Sequence, residues 1–388
     1  MIESNFALLF GAMANPFVFS EPVSPIDLLD REAEAALLVD RAFGGHNSRL
    51  VAPRRYGKTS LLRRALHDAE SSALVGVYVS FFGVLTQTDV AARIETAYAK
   101  QLPRGLARWF EGVRRTVRAT VRAGGGPIPM SVEMSVDRTS ERDLRYWLAI
   151  PRQLHDAKGV RATIVFDEFQ DVMLAGSRID AVIRSEIEHH GDAASYVFAG
   201  SNVGMMRELF ASKRRAFYGQ AGAVELAPLP PSDVAEYVGE RFARGGRDVG
   251  EALGPLLDFC EGHPQRTMLL AHFLYERTPP GGQADASTFT AALDHVLGVE
   301  AGDELRAVWS ALASGQRRAL TAIAEDSGRL YGAQVQARVG GTRGGSLSAA
   351  VRALVDAGEV VKDATHATGY RVVDPLLAHW VRAGRPGG

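Results

Sequence analysis

Cysteine is nearly absent: the 388 residues contain one, Cys260. A single thiol excludes an intrachain disulfide and any zinc site built from cysteines, and it fits a reducing compartment. Its apolar neighbours Leu256, Leu257 and Phe259 predict a buried, inert side chain. Long apolar runs are missing too, since none approaches the ~18 residues a membrane helix needs. The N-terminus carries Glu3 and no basic segment of the kind a secretory leader uses. The expectation is a cytoplasmic protein with no membrane contact. An excess of charge of either sign is also lacking: 44 basic and 45 acidic residues leave a net charge of −1. Binding to nucleic acid therefore needs a local patch, because the overall field offers no help. The apolar content of 46% and charged content of 23% are those of an ordinary soluble globular protein. The length exceeds what one core usually supports, so two or three domains are expected.

What is present centres on Val51-Ala52-Pro53-Arg54-Arg55-Tyr56-Gly57-Lys58-Thr59-Ser60. A short apolar run precedes it and a helical pattern follows, the strand–loop–helix context of a phosphate-binding loop. Backbone N–H groups of Pro53–Ser60, proline aside, form a concave anion site, and the first turn of the next helix adds its partial positive charge. Lys58 reaches the β- and γ-phosphates, and Thr59 offers its hydroxyl to Mg²⁺. The first glycine of G-x-x-x-x-G-K-[ST] is replaced by Ala52. A residue before proline is pushed to extended backbone with negative φ, where alanine is comfortable, so the loop reads as intact.

Ala162–Phe166 is a β-branched and aromatic run that ends in Asp167-Glu168, as expected of a central strand buried on both faces. Ligands in such sheets bind beyond the carboxyl ends of the strands. Asp167 is thus assigned to Mg²⁺ and Glu168 to the attacking water. Ser195–Gly200 reads as a further strand ending in Ser201-Asn202. There Asn202 either reaches the γ-phosphate or caps the next helix. Arg214 and Arg215 follow, and Pro228, Pro230 and Pro231 mark a boundary.

Elsewhere the expectations are coarser. Thr88–Lys100 reads as a helix capped by Thr88. Leu106, Trp109, Val113, Val117 and Val121 form an apolar stripe, with Arg114, Arg118 and Arg122 on another face. That basic stripe reads first as a solvated surface, with nucleic-acid contact as the alternative. Residues 128–136 suggest a small hairpin. From Ser232, read as the cap of a helix to about Arg244, the pattern is helical, broken at Gly262-His263-Pro264. Beyond residue 301 come helices over 314–325, 332–339 and 346–358 and a hairpin over 359–373, a winged-helix arrangement. Its basic residues Arg338, Arg343, Arg352 and Lys362 are offset by Asp356, Glu359 and Asp363, so DNA binding there is expected to be weak.

Together these motifs, with Asn15-Pro16-Phe17, Asp167-Glu168-Phe169-Gln170 and Tyr370–Pro375, resemble the archaeal-type ATPase family of the AAA+ and STAND class. The resemblance runs through nearly the whole chain in order. It implies an α/β core over 1–228 with a parallel sheet of order 5-1-4-3-2, a helical lid over 229–300 and a winged helix over 301–388. It further implies an ATP hydrolase using Mg²⁺, with Lys58 and Glu168 in catalysis and ATP or ADP bound. Pro264 would sit near the base and Arg266 would be a lid arginine on the phosphates. The family's Tyr-Gly-Arg is here Tyr218-Gly219-Gln220, and Gln220 carries no charge. Arg214 or Arg215 is the substitute within the chain, and an arginine from a second copy is the other source. A protein partner or DNA is left open by the resemblance, as is a nucleotide-gated module with slow hydrolysis.

Overall fold

The computed structural model describes residues 15–123, 141–333, 335 and 344–384. The expected hairpin at 128–136 and most of the expected helix at 332–339 lie outside the described residues. The chain forms two compact units. One comprises Arg31–Ala52 and Lys58–Leu226; the other comprises the segment up to Asp30, the short stretch Pro53–Gly57, and everything from Ala227 on.

The first unit is a five-stranded parallel sheet. Its strands are β1 (Ser48–Val51), β2 (Val75–Ser80), β3 (Ala162–Asp167), β4 (Ala194–Gly200) and β5 (Gly222–Val224), in the spatial order β2-β3-β4-β1-β5. Read from the other edge this is 5-1-4-3-2, the order the family resemblance implies. Every residue of β3 and β4 is buried, which explains their unbroken apolar and aromatic runs. Behind them Phe166, Phe169, Phe198, Phe210 and Phe217 interlock with ring centroids 4.7–6.1 Å apart.

The sheet's register brings the site together. Val51 lies opposite Gly200 and Phe166 opposite Phe198, so β1, β3 and β4 end at one edge. Helices α1 (Glu32–Phe43) and α2 (Lys58–Ser71) pack on one another, and α2 also lies on β2 and β3. Helix α3 (Gln87–Gln101) starts earlier than expected. Its cap is Thr86, whose hydroxyl accepts from Asp89 N while Asp89 accepts from Thr86 N, a reciprocal box that Thr88 cannot form because Ala91 stands three residues on. Then come α4 (Arg104–Ala123), α5 (Ile150–Lys158), α6 (Ile179–Ile187) and α7 (Val203–Ala211).

The second unit is mostly helical: α8 (Pro231–Arg244), α9 (Leu253–Cys260), α10 (Pro264–Arg277), α11 (Ala286–His295), α12 (Gly302–Ala311), α13 (Ser314–Glu325), α14 (Gly344–Ala357) and α15 (Pro375–Arg382). Helix α8 opens on Pro231 at its first position, which needs no N–H there, so Ser232 lies inside the first turn and is not its cap. Strands β6 (Val360–Lys362) and β7 (Tyr370–Val372) form the expected antiparallel hairpin. The apolar face of α15 is covered within this unit: Leu376, Leu377 and Trp380 are buried in its core, and Trp380 meets Trp309 edge-on. Cys260 is buried, and burial pushes its thiol up to about 12, which keeps it protonated and unreactive. Among the described residues no helix is long and apolar enough to cross a membrane.

Candidate active site

The candidate residues fall into two groups, one in each unit. In the first unit, β1 runs into Ala52, whose N–H donates to Gly200 O at 3.3 Å. Ala52 is buried and does not have a positive φ, so its backbone does not call for glycine. Lys58 opens α2 with a nearly buried side chain. Its Nζ donates to Glu168 Oε1 at 3.0 Å and stands 3.9 Å from Asp167 Oδ1. Thr59 Oγ1 donates to Asp167 Oδ2 at 3.4 Å, and Ser60 is buried behind them.

Asp167 is the last residue of β3. Tyr78, on the neighbouring strand β2, donates its hydroxyl to Asp167 Oδ2. Burial first, and then the Asp167 charge, push the Tyr78 hydroxyl well above its ordinary range, so it remains a donor at any working pH. The sequence did not single out Tyr78, because it sits inside a uniformly apolar run.

Glu168 adopts the left-handed region at φ 49, which turns its carboxylate back toward Lys58. Its Oε2 accepts from Gln170 Nε2 at 2.6 Å, Ser201 Oγ at 2.7 Å and Ser201 N at 3.3 Å. Burial alone would raise this carboxyl. The Lys58 ammonium and the bonds from Gln170, Ser201 and Lys58 outweigh it and hold the group at about 2. Gln170 is held close by Gly200. A Cβ at that position would lie 2.3 Å from Gln170 Oε1 and 2.6 Å from Met206 Sδ, so a larger residue at the end of β4 would displace both side chains.

The remaining sequence candidates of this unit lie differently. Asn202 caps α7, its Oδ1 accepting from Met205 N at 2.9 Å; it is the preceding Ser201 that touches Glu168. Arg215 pairs with Glu208 and stands 3.8 Å from Asp180, and Arg214 is exposed. Neither forms a hydrogen bond or ion pair with Lys58, Thr59, Asp167 or Glu168.

In the second unit lies the loop Pro53–Gly57. Gly57 has φ +80, and a Cβ there meets nothing within 4 Å, so the backbone conformation and not the space calls for glycine. Arg55 is left-handed at φ 65 and donates to Glu304 Oε1 at 2.5 Å; Arg54 is exposed. The buried Tyr56 ring meets His263 edge-on at 5.3 Å. Gly262 has φ +71, and a Cβ there would lie 2.4 Å from Leu229 O, so glycine is required on both counts.

His263 caps α10, its Nδ1 accepting from Arg266 N at 3.3 Å, and Pro264 takes the first helical position. Burial lowers His263 to about 4, which keeps the ring neutral and able to accept. Arg266 is 2% exposed. Its guanidinium grips Asp374 by two nitrogens at 2.5–3.1 Å, and Nη2 also donates to Glu304 at 3.2 Å. Burial by itself would raise the Asp374 carboxyl, and Arg266 draws it below its usual range. One guanidinium thus ties α10 to α12 and to the cap of α15, and Glu304 links the same cluster to Arg55.

No protein-family model matches the chain, and no curated protein does. Among solved structures, the Walker-type ATPase PABY2304 of Pyrococcus abyssi superposes with a TM-score of 0.66 at 18% identity, over 94% of this chain and 99% of that one. The Aeropyrum pernix ORC2 protein, solved as ADPNP–ADP complexes, gives 0.59 at 14% identity over 95% and 98%. These likenesses extend along almost all of each chain, and with the observed sheet order they lead to one conclusion: the chain has the fold of the Walker-type ATPase and of the ORC2 protein.

Proposed function

We propose that this chain binds ATP with Mg²⁺ and hydrolyses it. The observation that carries the reading is the buried Lys58 ammonium, 3.0 Å from Glu168, with Thr59 and Asp167 facing each other beside it. The donor set fits the ligands. A hydroxyl and a carboxylate are the oxygen donors a small hard cation prefers, and Lys58 supplies a compact charge for phosphate. Lys58 exchanges Glu168 for the phosphate oxygens, Thr59 and Asp167 hold the metal, and Tyr78 fixes the Asp167 rotamer. Mg²⁺, when bound, neutralises charge on the transferring phosphoryl group. Glu168, held by Ser201 and Gln170, accepts a hydrogen bond from the attacking water. Once Lys58 turns to phosphate, the main charge depressing Glu168 is withdrawn and its basicity rises.

In this reading Pro53–Ser60 cradle the phosphates, while Pro264 and Arg266 belong to a lid that responds to nucleotide. Lid and winged-helix segments move together, because Arg266 bonds both α12 and the cap of α15. A second reading, a nucleotide-gated module with slow turnover, is favoured by the low affinity of Glu168 for a proton and by the uncharged Gln220. The experiment is Mg²⁺-dependent phosphate release by the purified chain over a range of protein concentrations. Release supports hydrolysis, and a specific rate rising with concentration points to an arginine from a second copy. Tight ATP binding without release supports the gated module.

A further inference from the structure

Several helical arginines in this chain are neutralised within their own helix. Arg64, Arg145, Arg152, Arg184, Arg244 and Arg306 each pair with a carboxylate three or four positions away. Helix α4 gathers several arginines without such a partner in one helix. Its twenty residues hold one acid, Glu111, whose Oε1 accepts from Arg114 at 3.1 Å; Arg114 also bonds Glu95 of α3 at 2.6 Å. Arg104, Arg108 and Arg115 are exposed, and no described residue forms a hydrogen bond or ion pair with their side chains.

At ~100° per residue these three positions fall within about 40° of one another on the helix, a single row roughly 16 Å long. In the sequence the same face recurs at Arg118 and Arg122. The opposite face is occupied: Phe110 is fully buried, and Leu106, Trp109 and Val113 pack on the sheet unit's core.

We propose that this row is a binding site for the phosphate backbone of a nucleic acid. Guanidinium groups suit phosphate because their forked N–H donors engage two oxygens at once. The length of the row matches a ligand whose charges repeat along a line, since a duplex carries one every ~1.7 Å of axis. Two other partners are disfavoured by the same helix. A basic amphipathic helix binds a bilayer by inserting its apolar face, and here that face is spent on the core. A protein interface wants a buried apolar centre, and the residues between these arginines on that face include no large apolar side chain.

The test is fluorescence anisotropy of a labelled mixed-sequence DNA duplex with the full chain, titrated with salt from about 50 to 200 mM. Three proteins are compared: the parent, Arg104→Gln/Arg108→Gln/Arg115→Gln, and Arg152→Gln/Arg184→Gln/Arg244→Gln, which removes the same total charge elsewhere. With three arginine–phosphate pairings removed, the first variant should have a salt slope smaller by about 2.7, so that over this range the parent weakens roughly 40-fold more than the variant does. The second variant should keep the parent slope. ATP binding should be equal in all three, which reports intact folding. The inference is overturned if the parent does not bind the duplex at about 50 mM salt, or if both variants lose slope equally. It is also overturned if the first variant loses binding to phosphatidylserine vesicles but not to the duplex.

Discussion

Replacing Glu168 by glutamine separates binding from chemistry, and the structure sets its size. The side chain keeps its shape and loses its charge. The amide oxygen can still accept from Ser201 and Gln170, which turns the NH2 group toward Lys58, so Lys58 loses its partner at 3.0 Å and keeps only Asp167 at 3.9 Å. A charge-assisted hydrogen bond of this kind contributes about 1.5–3 kcal/mol. In the parent, phosphate must displace that bond; in the variant it need not. ATP affinity should therefore be unchanged or up to ~10-fold tighter, most of one such bond being repaid by other partners. Turnover should fall by about 10²-fold or more, the scale of lost water activation.

Acid titration gives a second signature. The folded carboxyl sits at about 2, below its ordinary 4.5, so its contribution to stability is present above pH ~4.5 and is lost as pH falls toward 2. The melting-temperature difference between parent and variant should shrink over that window. Calorimetry with ATP–Mg²⁺, phosphate release and thermal melts on both proteins make the measurement. Equal turnover in the two would refute the assignment of Glu168 to the attacking water.

Other perturbations follow from the same geometry. Asp167→Asn should weaken the dependence of ATP binding on Mg²⁺, seen as a higher metal requirement in calorimetry. Gly200→Ala should push Gln170 off Glu168, destabilising the fold by about 1–3 kcal/mol through overpacking and lowering turnover more than affinity; a melt and a steady-state assay read both. Asp374→Asn breaks a buried pair and leaves Arg266 with Glu304 alone. It should cost about 3 kcal/mol, near the lower end for such pairs because one carboxylate remains, measured by denaturant unfolding.

The sheet and the acid pair were legible because they are local. The run Ala162–Phe166 must be buried on both faces, and its abrupt end in Asp167-Glu168 marks the carboxyl edge where Lys58 and Thr59 also stand. Side-chain partners set by register or by distant segments were not legible. Tyr78 reaches Asp167 only because β2 pairs with β3 in the observed register, and Ser201 reaches Glu168 across 33 positions. Arg266 showed its helix position but not its partner, since Asp374 lies 108 residues on. The arginines of α4 illustrate phase. Arg114 lies about 80–120° around the helix from Arg104, Arg108 and Arg115 and has turned to Glu95, whereas 104, 108 and 115 keep one face. The cap of α7 shows a local rule at work, with Asn202 serving the helix and its neighbour serving the site.

The central claim, that Lys58 and its loop bind the phosphates of ATP, is tested most directly by calorimetry of ATP–Mg²⁺ with the parent and Lys58→Ala. The parent should bind. The variant should lose at least ~10-fold and up to about 10⁴-fold in affinity, since one or two charge-assisted bonds of about 1.5–3 kcal/mol each are removed. Equal affinity in the two proteins, with both folded by thermal melt, would contradict the account.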